Sequence, residues 1–248
     1  MRLALAVLLA AVAAAVSAGA AAGRPGPAGQ RSTAVDRMIW AGQPVFCGGP
    51  ERRVFALTFD DGPSPWTEQL LAALRRGHAP ATFFLVGNRV PLWRSAALAA
   101  AAYGAVGDHT WSHPQLTRLP ALRIRRELTW TRQELRRRLH VSTQLFRPPY
   151  ERSNARVTRV VHALGLLDVR WNVDSLDSRR GARPGPVARE VVRGLKPGAI
   201  VLMHDAHPWT AKVVRTVLAA ARRKHLRPVT VPQLLELDPP VPGRSCYA

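Results

Sequence analysis

The sequence predicts an α/β fold whose parallel sheet curls toward a barrel. Three observations carry this. Short apolar, β-rich runs alternate with amphipathic helical segments from Val54 onward. The alternation gives about seven strand–helix units, which suits a barrel better than an open sheet. Asp60, Asp61, His109, Arg147, Asp177 and His204 all fall at or just past the C-terminal ends of predicted strands. That edge is where parallel α/β folds build their sites.

The elements follow in order. Met1-Arg2 precedes an apolar, Ala-rich stretch, Leu3–Gly23, that ends in small residues. It reads as a secretory signal peptide over residues 1–22. An uncleaved membrane anchor is the alternative, because the run approaches the roughly 20 residues that span a bilayer. No Cys follows it, so a lipoprotein anchor is not indicated. Residues 23–50 form a Pro/Gly-rich linker and a loosely ordered lead-in without apolar periodicity. A single domain is expected over 51–238, with a C-terminal tail at 239–248. Its strands are Val54–Phe59, Ala81–Gly87, Ala105–His109, Gln144–Arg147, Leu166–Val173, Ala199–Asp205 and Arg227–Val231. Its helices are Thr67–Arg76, Ala96–Ala102, Leu122–Leu139, Arg156–Gly165, Val187–Leu195 and Ala211–Lys224, with Gly165 a natural C-terminal cap.

Composition narrows the function. The 248 residues hold 36 Lys plus Arg against 16 Asp plus Glu, a formal net charge of +20. Such a balance suits contact with polyanions, although a coding bias toward Arg and Ala produces the same count. Export excludes a nuclear or cytosolic nucleic-acid partner. The Arg residues also cluster on helices such as Leu122–Leu139, away from the strand ends. The expected role of the charge is retention on an anionic cell wall, for a secreted or wall-associated monomer. Export permits disulfides, and the two cysteines, Cys47 and Cys246, are a candidate pair tying the domain's ends together.

The chemistry begins at TFDDG, 58–62, where two adjacent acids end a strand. HTWSH, His109–His113, sets two imidazoles four residues apart, on one side of a helical turn. Alone the pair reads as a surface feature. With Asp61 it becomes a two-His, one-Asp set that leaves positions open for water and substrate. Zinc is the natural ion, with cobalt, nickel or manganese as alternatives. Asp60 then stays ionised beside the cation as a proton acceptor, oriented by a bidentate pair with Arg147. His204, directly after an apolar strand, suits a general acid, with Asp174 or Asp177 raising its pKa.

Five segments stand in a fixed order: TFDDG at 58–62, HTWSH at 109–113, RPPY at 147–150, DSLD at 174–177 and LMH at 202–204. Together they resemble the polysaccharide deacetylases of carbohydrate esterase family four, the domain shared with rhizobial chitooligosaccharide deacetylases. ATFFLVG at 81–87 is similar to that family's second strand. The resemblance covers residues 52–238 and implies a deformed (β/α)7 barrel with one divalent metal. It assigns the metal to Asp61, His109 and His113, the base to Asp60 and the acid to His204. Arg147 would orient Asp60, and the Tyr150 backbone N–H would support the oxyanion. Asp177 would partner His204, with Asp174 the alternative. Trp171 and Leu202 would shape the pocket for the acetyl methyl. The implied reaction is attack of metal-activated water on an acetamide of an acetylated polysaccharide, peptidoglycan or a chitin-like oligosaccharide. Removal of O-acetyl groups, as from acetylxylan, and non-catalytic glycan binding are the alternatives. Retention of both Asp60 and His204 argues against the latter. Two positions depart from the pattern: Ser178 replaces a common aromatic and Glu151 a common Gly. Both bear on specificity.

Overall fold

The computed structural model describes residues 33–241 and Cys246. The signal-peptide segment and the linker before residue 33 lie outside these residues, as does most of the tail beyond 241. Among the described residues no helix is long and apolar enough to cross a membrane.

A parallel sheet positions everything else. Its strands are β1 (Val54–Gly62), β2 (Thr82–Leu85), β3 (Ala105–Asp108), β4 (Leu145–Phe146), β5 (Leu167–Asp168), β6 (Val173–Asp174), β7 (Ile200–His204) and β8 (Arg227–Val229). They are ordered β5-β4-β3-β2-β1-β7-β6, with β8 paired to the first half of β1. The long strand β1 is central and carries a nearly unbroken buried run, as expected of a parallel strand covered on both faces. Helices α2 (Thr67–Arg76), α3 (Arg94–Tyr103), α4 (Ala121–Leu139), α5 (Ala155–Ala163), α6 (Pro184–Gly194) and α7 (Thr210–Arg223) connect the strands. The largest apolar cluster joins β1 and β7 to the inner faces of α2, α6 and α7 through Phe59, Leu74, Met203, Val191 and Val217. The architecture is the curled (β/α) half-barrel expected, with short peripheral strands.

Three details differ from the sequence expectation. The single strand over Leu166–Val173 is two short strands, because β5 pairs with β4 and β6 pairs with β7. The lead-in is not loose: Thr33–Ala41 forms helix α1 and packs on α8 (Val231–Leu237), a helix that a terminal strand at 227–231 did not anticipate. Ala34, Val35, Met38 and Ile39 give α1 an apolar stripe at i, i+1, i+4 and i+5, which seats it on the cluster holding Leu234 and Leu235. At α8, a Thr230–Gln233 capping box starts the helix that the short apolar run conceals. Beyond α1, Val45 bridges to Val169 and Cys47 to Ala199. Residues 45–48 thus cross between the β5 and β7 ends of the sheet, and Cys47 is disulfide-bonded to Cys246. At the end of α5, Leu164 closes the helix and Gly165 takes the left-handed φ of +64° that its lack of a Cβ allows.

Candidate active site

Strand geometry explains how neighbouring acids share one site. A regular strand would send Asp60 and Asp61 to opposite faces. Asp61 has φ +69°, and the pairing of β1 with β2 shifts register between Phe59 and Gly62. The pleat is broken there, so both carboxylates reach the same cleft. On the other edge of β1, Asp60 stands opposite His204 in the parallel register with β7.

His109 and His113 lie on an irregular loop after β3, not on the helical turn their spacing suggests. Thr110 and His113 both have positive φ, +68° and +57°. Asp108 holds the loop: its carboxylate accepts the Thr110 N–H at 2.7 Å, and Thr110 Oγ1 accepts the His113 N–H at 3.0 Å. The two rings end 5.0 Å apart. His109 Nδ1 sits 2.8 Å from the Arg147 carbonyl. A carbonyl only accepts, so Nδ1 carries the proton and Nε2 presents its lone pair. That Nε2 is 3.5 Å from Asp61 Oδ1, and His113 Nε2 is 3.1 Å from the same oxygen.

These three residues fit a divalent ion. Their ligand atoms lie within 4.8 Å of one another. Asp61 Oδ1 is buried and has no hydrogen-bond donor. Two imidazole nitrogens and one carboxylate oxygen form a donor set that zinc, cobalt, nickel and manganese accept.

Asp60 is held from the other side. Its Oδ1 accepts from Arg147 Nη1 at 2.9 Å, and its Oδ2 lies 3.7 Å from His109 Nε2. The pair is not the bidentate fork expected. Arg147 is fully buried, and its remaining donors go to Thr58 Oγ1 at 2.6 Å, the Val169 carbonyl at 2.9 Å and the Arg170 carbonyl at 3.0 Å. Its guanidinium also lies over the rings of Phe84 and Trp171, 4.2 and 5.2 Å from their centroids.

His204 Nδ1 is 2.6 Å from Asp177 Oδ1, and Asp177 Oδ2 accepts the His204 backbone N–H at 2.7 Å. Asp174, the alternative partner, instead accepts the N–H of Leu176 at 2.8 Å and shapes the turn. Burial pulls the His204 imidazole down, yet the Asp177 bond and charge, with Asp60 and Asp61 behind them, raise it to about 9. Leu202 is buried two residues earlier on β7, which puts it on the His204 face, and Trp171 is half-buried above Arg147. Tyr150 is exposed, and its ring packs edge-on against His113 at 4.7 Å.

The structure thus gathers Asp60, Asp61, His109, His113, Arg147, Asp177 and His204, while Cys47 and Cys246 pair away from them. Asp108 and Asp205 escaped the sequence reading. Each directly neighbours a site histidine, which was the available signal. Asp205 accepts hydrogen bonds from Ser64 and Thr67, anchoring the turn after Asp61, and burial, tempered by those bonds, raises it to about 6.

Comparison with known proteins follows the same outline. The family model described as polysaccharide deacetylase matches residues 48–169. The peptidoglycan-N-acetylglucosamine deacetylase PgdA of Listeria monocytogenes is 35% identical over 72% of this chain and 38% of its own length. The chitooligosaccharide deacetylase of Rhizobium leguminosarum bv. trifolii is 37% identical over 65% of this chain and 75% of its own. In three dimensions, the Bc1960 peptidoglycan N-acetylglucosamine deacetylase superposes with a TM-score of 0.72 at 27% identity, covering 77% of this chain and 91% of that one. This chain therefore spans about two-fifths of the Listeria protein's length.

Proposed function

We propose, from the premise that this chain belongs to the polysaccharide deacetylase family, that it hydrolyses N-acetyl groups on an amino-sugar polymer of the peptidoglycan or chitin type. The observation that carries this is the placement of Asp60. Its Oδ1 is fixed by Arg147, its Oδ2 faces the Asp61–His109–His113 trio, and His204 stands on the next strand.

Asp61, His109 and His113 would hold the divalent ion, zinc being the first choice. When bound, such an ion supplies a Lewis acid and makes water a nucleophile near neutral pH. Asp60 Oδ2 accepts the proton of the water that attacks the acetamide carbonyl. The Tyr150 backbone N–H is the donor for the developing oxyanion. His204, charged near neutral pH because Asp177 supports it, gives a proton to the nitrogen as the C–N bond breaks. Acetate and a free amine leave. Leu202 and Trp171 form the apolar wall for the methyl group. Export and wall association belong to the same proposal. The apolar Leu3–Gly23 segment, the charge of +20 and the Cys47–Cys246 disulfide support them.

Acetate release from chitooligosaccharides, peptidoglycan and acetylxylan, with and without chelator, tests this reading. We expect chelator-sensitive release from the first two. Asp60→Asn should lower turnover by about 10²–10⁴-fold while metal content per chain is kept. A fully active Asp60→Asn variant removes the base assignment. Release from acetylxylan alone removes the amide specificity.

A further inference from the structure

Beside Tyr150 lies a cleft of about 390 Å³, lined by Pro44, Phe46, Glu151, Arg152 and Arg170. We infer that it is a subsite for a second sugar ring of the polymer, the neighbour of the ring whose acetyl group enters the metal site. The inference rests on the deacetylase reading above and adds to it where the chain is gripped.

Two segments form the walls. One is the lead-in. Val45 N donates to the Asp168 carbonyl at 2.9 Å and Arg170 N to the Val45 carbonyl at 2.7 Å, so residues 44–46 run as a short added strand beside β5. In such a strand, side chains alternate between faces. Val45 is buried in the apolar cluster, and its neighbours Pro44 and Phe46 turn to the cleft. The other wall is the turn of Tyr150, Glu151 and Arg152. Tyr150 and Glu151 both hold positive φ, +59° and +57°, without being glycine. Such a conformation persists only where the surroundings impose it, and here Arg170 does so. Its guanidinium is fixed on Asp168 by bonds of 2.6 and 2.9 Å and donates to the Glu151 carbonyl at 2.8 Å.

The result is a rigid cleft with the chemistry of a sugar site. Phe46, Pro44 and Tyr150 offer apolar faces to the C–H face of a pyranose. Glu151 and Arg152, exposed at the rim, offer an acceptor and a donor fork to hydroxyls. Tyr150 belongs to both this cleft and the metal site, so the two are adjoining stations on one path. Glu151 places a carboxylate on the rim that a glycine at this position would lack.

Steady-state deacetylation of chitooligosaccharides from the dimer to the pentamer tests the inference. The readout is the ratio of kcat/KM on the pentamer to kcat/KM on the dimer. Phe46→Ala should lower this ratio about tenfold, equivalent to ~1.4 kcal/mol. Arg152→Ala, at an exposed position where folding is not at risk, should lower it about threefold, and Phe46→Tyr should restore it. A ratio that stays at the wild-type value in both alanine variants overturns the subsite while leaving the deacetylase reading intact. Equal loss on all lengths, together with a lowered melting temperature, also overturns it and makes Phe46 purely structural. If the wild type releases acetate from neither these oligomers nor peptidoglycan, the deacetylase reading falls and the subsite with it.

Discussion

Replacing Asp177 with Asn tests the acid side of the site in a single measurement. His204 rises from an ordinary 6.5 to about 9 although burial opposes its charge. That difference favours the imidazolium by roughly 3 kcal/mol. The largest favourable contribution is the 2.6 Å bond to Asp177 Oδ1 and the charge behind it; Asp60 and Asp61 add less. A carboxylate can accept both His204 donors, Nδ1–H and the backbone N–H. An amide has one acceptor oxygen and must turn its NH2 toward one of the two. Asn therefore removes the charge and one bond, and burial then dominates. His204 should fall by about 2 pH units, toward its ordinary range. A general acid works only while protonated, so activity declines as pH rises through its pKa. The alkaline limb of kcat/KM should move from near pH 9 to about pH 7, read by acetate release across buffers of constant ionic strength. The same group sets a stability effect. Because the folded pKa is raised, the His204 contribution is complete below 6.5 and is lost as pH rises through about 9. The gap in melting temperature between wild type and variant should narrow over that window. An alkaline limb that stays in place while turnover persists would refute the role given to His204.

Two further predictions concern what holds the site in place. Arg147→Ala leaves the buried Asp60 carboxylate without its partner, which should destabilise the fold by roughly 3–5 kcal/mol; an unchanged urea midpoint would show that water replaces the guanidinium at no cost. Paired Cys47→Ser and Cys246→Ser substitutions remove a link between residues 199 apart and should lower stability by about 2–4 kcal/mol, with reductant doing the same to the wild type. If reductant leaves thermal unfolding of the wild type unmoved, the tether adds nothing to stability.

Much of this was legible in the sequence because the candidate site and the strand ends coincide. A strand that stops on Asp60-Asp61, a loop with two histidines and a strand that stops on His204 all announce themselves in one dimension. So did the helices from Thr67 to Arg223, whose apolar spacing meets a sheet on one side only. What stayed hidden depends on contacts across the fold. The carboxylate paired with His204 is Asp177 and not Asp174 because the turn at Leu176, φ +60°, consumes Asp174 on a backbone N–H. Arg147 binds Asp60 through Nη1 alone because the Val169 carbonyl claims Nε and the Arg170 carbonyl claims Nη2, while Thr58 Oγ1 takes the second bond from Nη1. Helix α1 was concealed by its Gly- and Pro-rich flanks, although its own residues carry a regular stripe.

Arg147 also settles why two adjacent acids are tolerable at the end of a buried strand. Its backbone carbonyl fixes the tautomer of His109, and its guanidinium fixes the orientation of Asp60. One residue therefore serves both carboxylates: Asp61 through the ligand histidine, Asp60 directly. The division is physical. Asp61 Oδ1, buried without a hydrogen-bond partner and close to both imidazole rings, is the oxygen that a cation is placed to satisfy. Asp60 already has its counter-charge in Arg147 and can keep Oδ2 for a proton. The carbonyl survives any substitution at position 147, while the guanidinium does not. On the proposed reading, holding the metal and holding the base are therefore separable by mutation even though they meet at one residue.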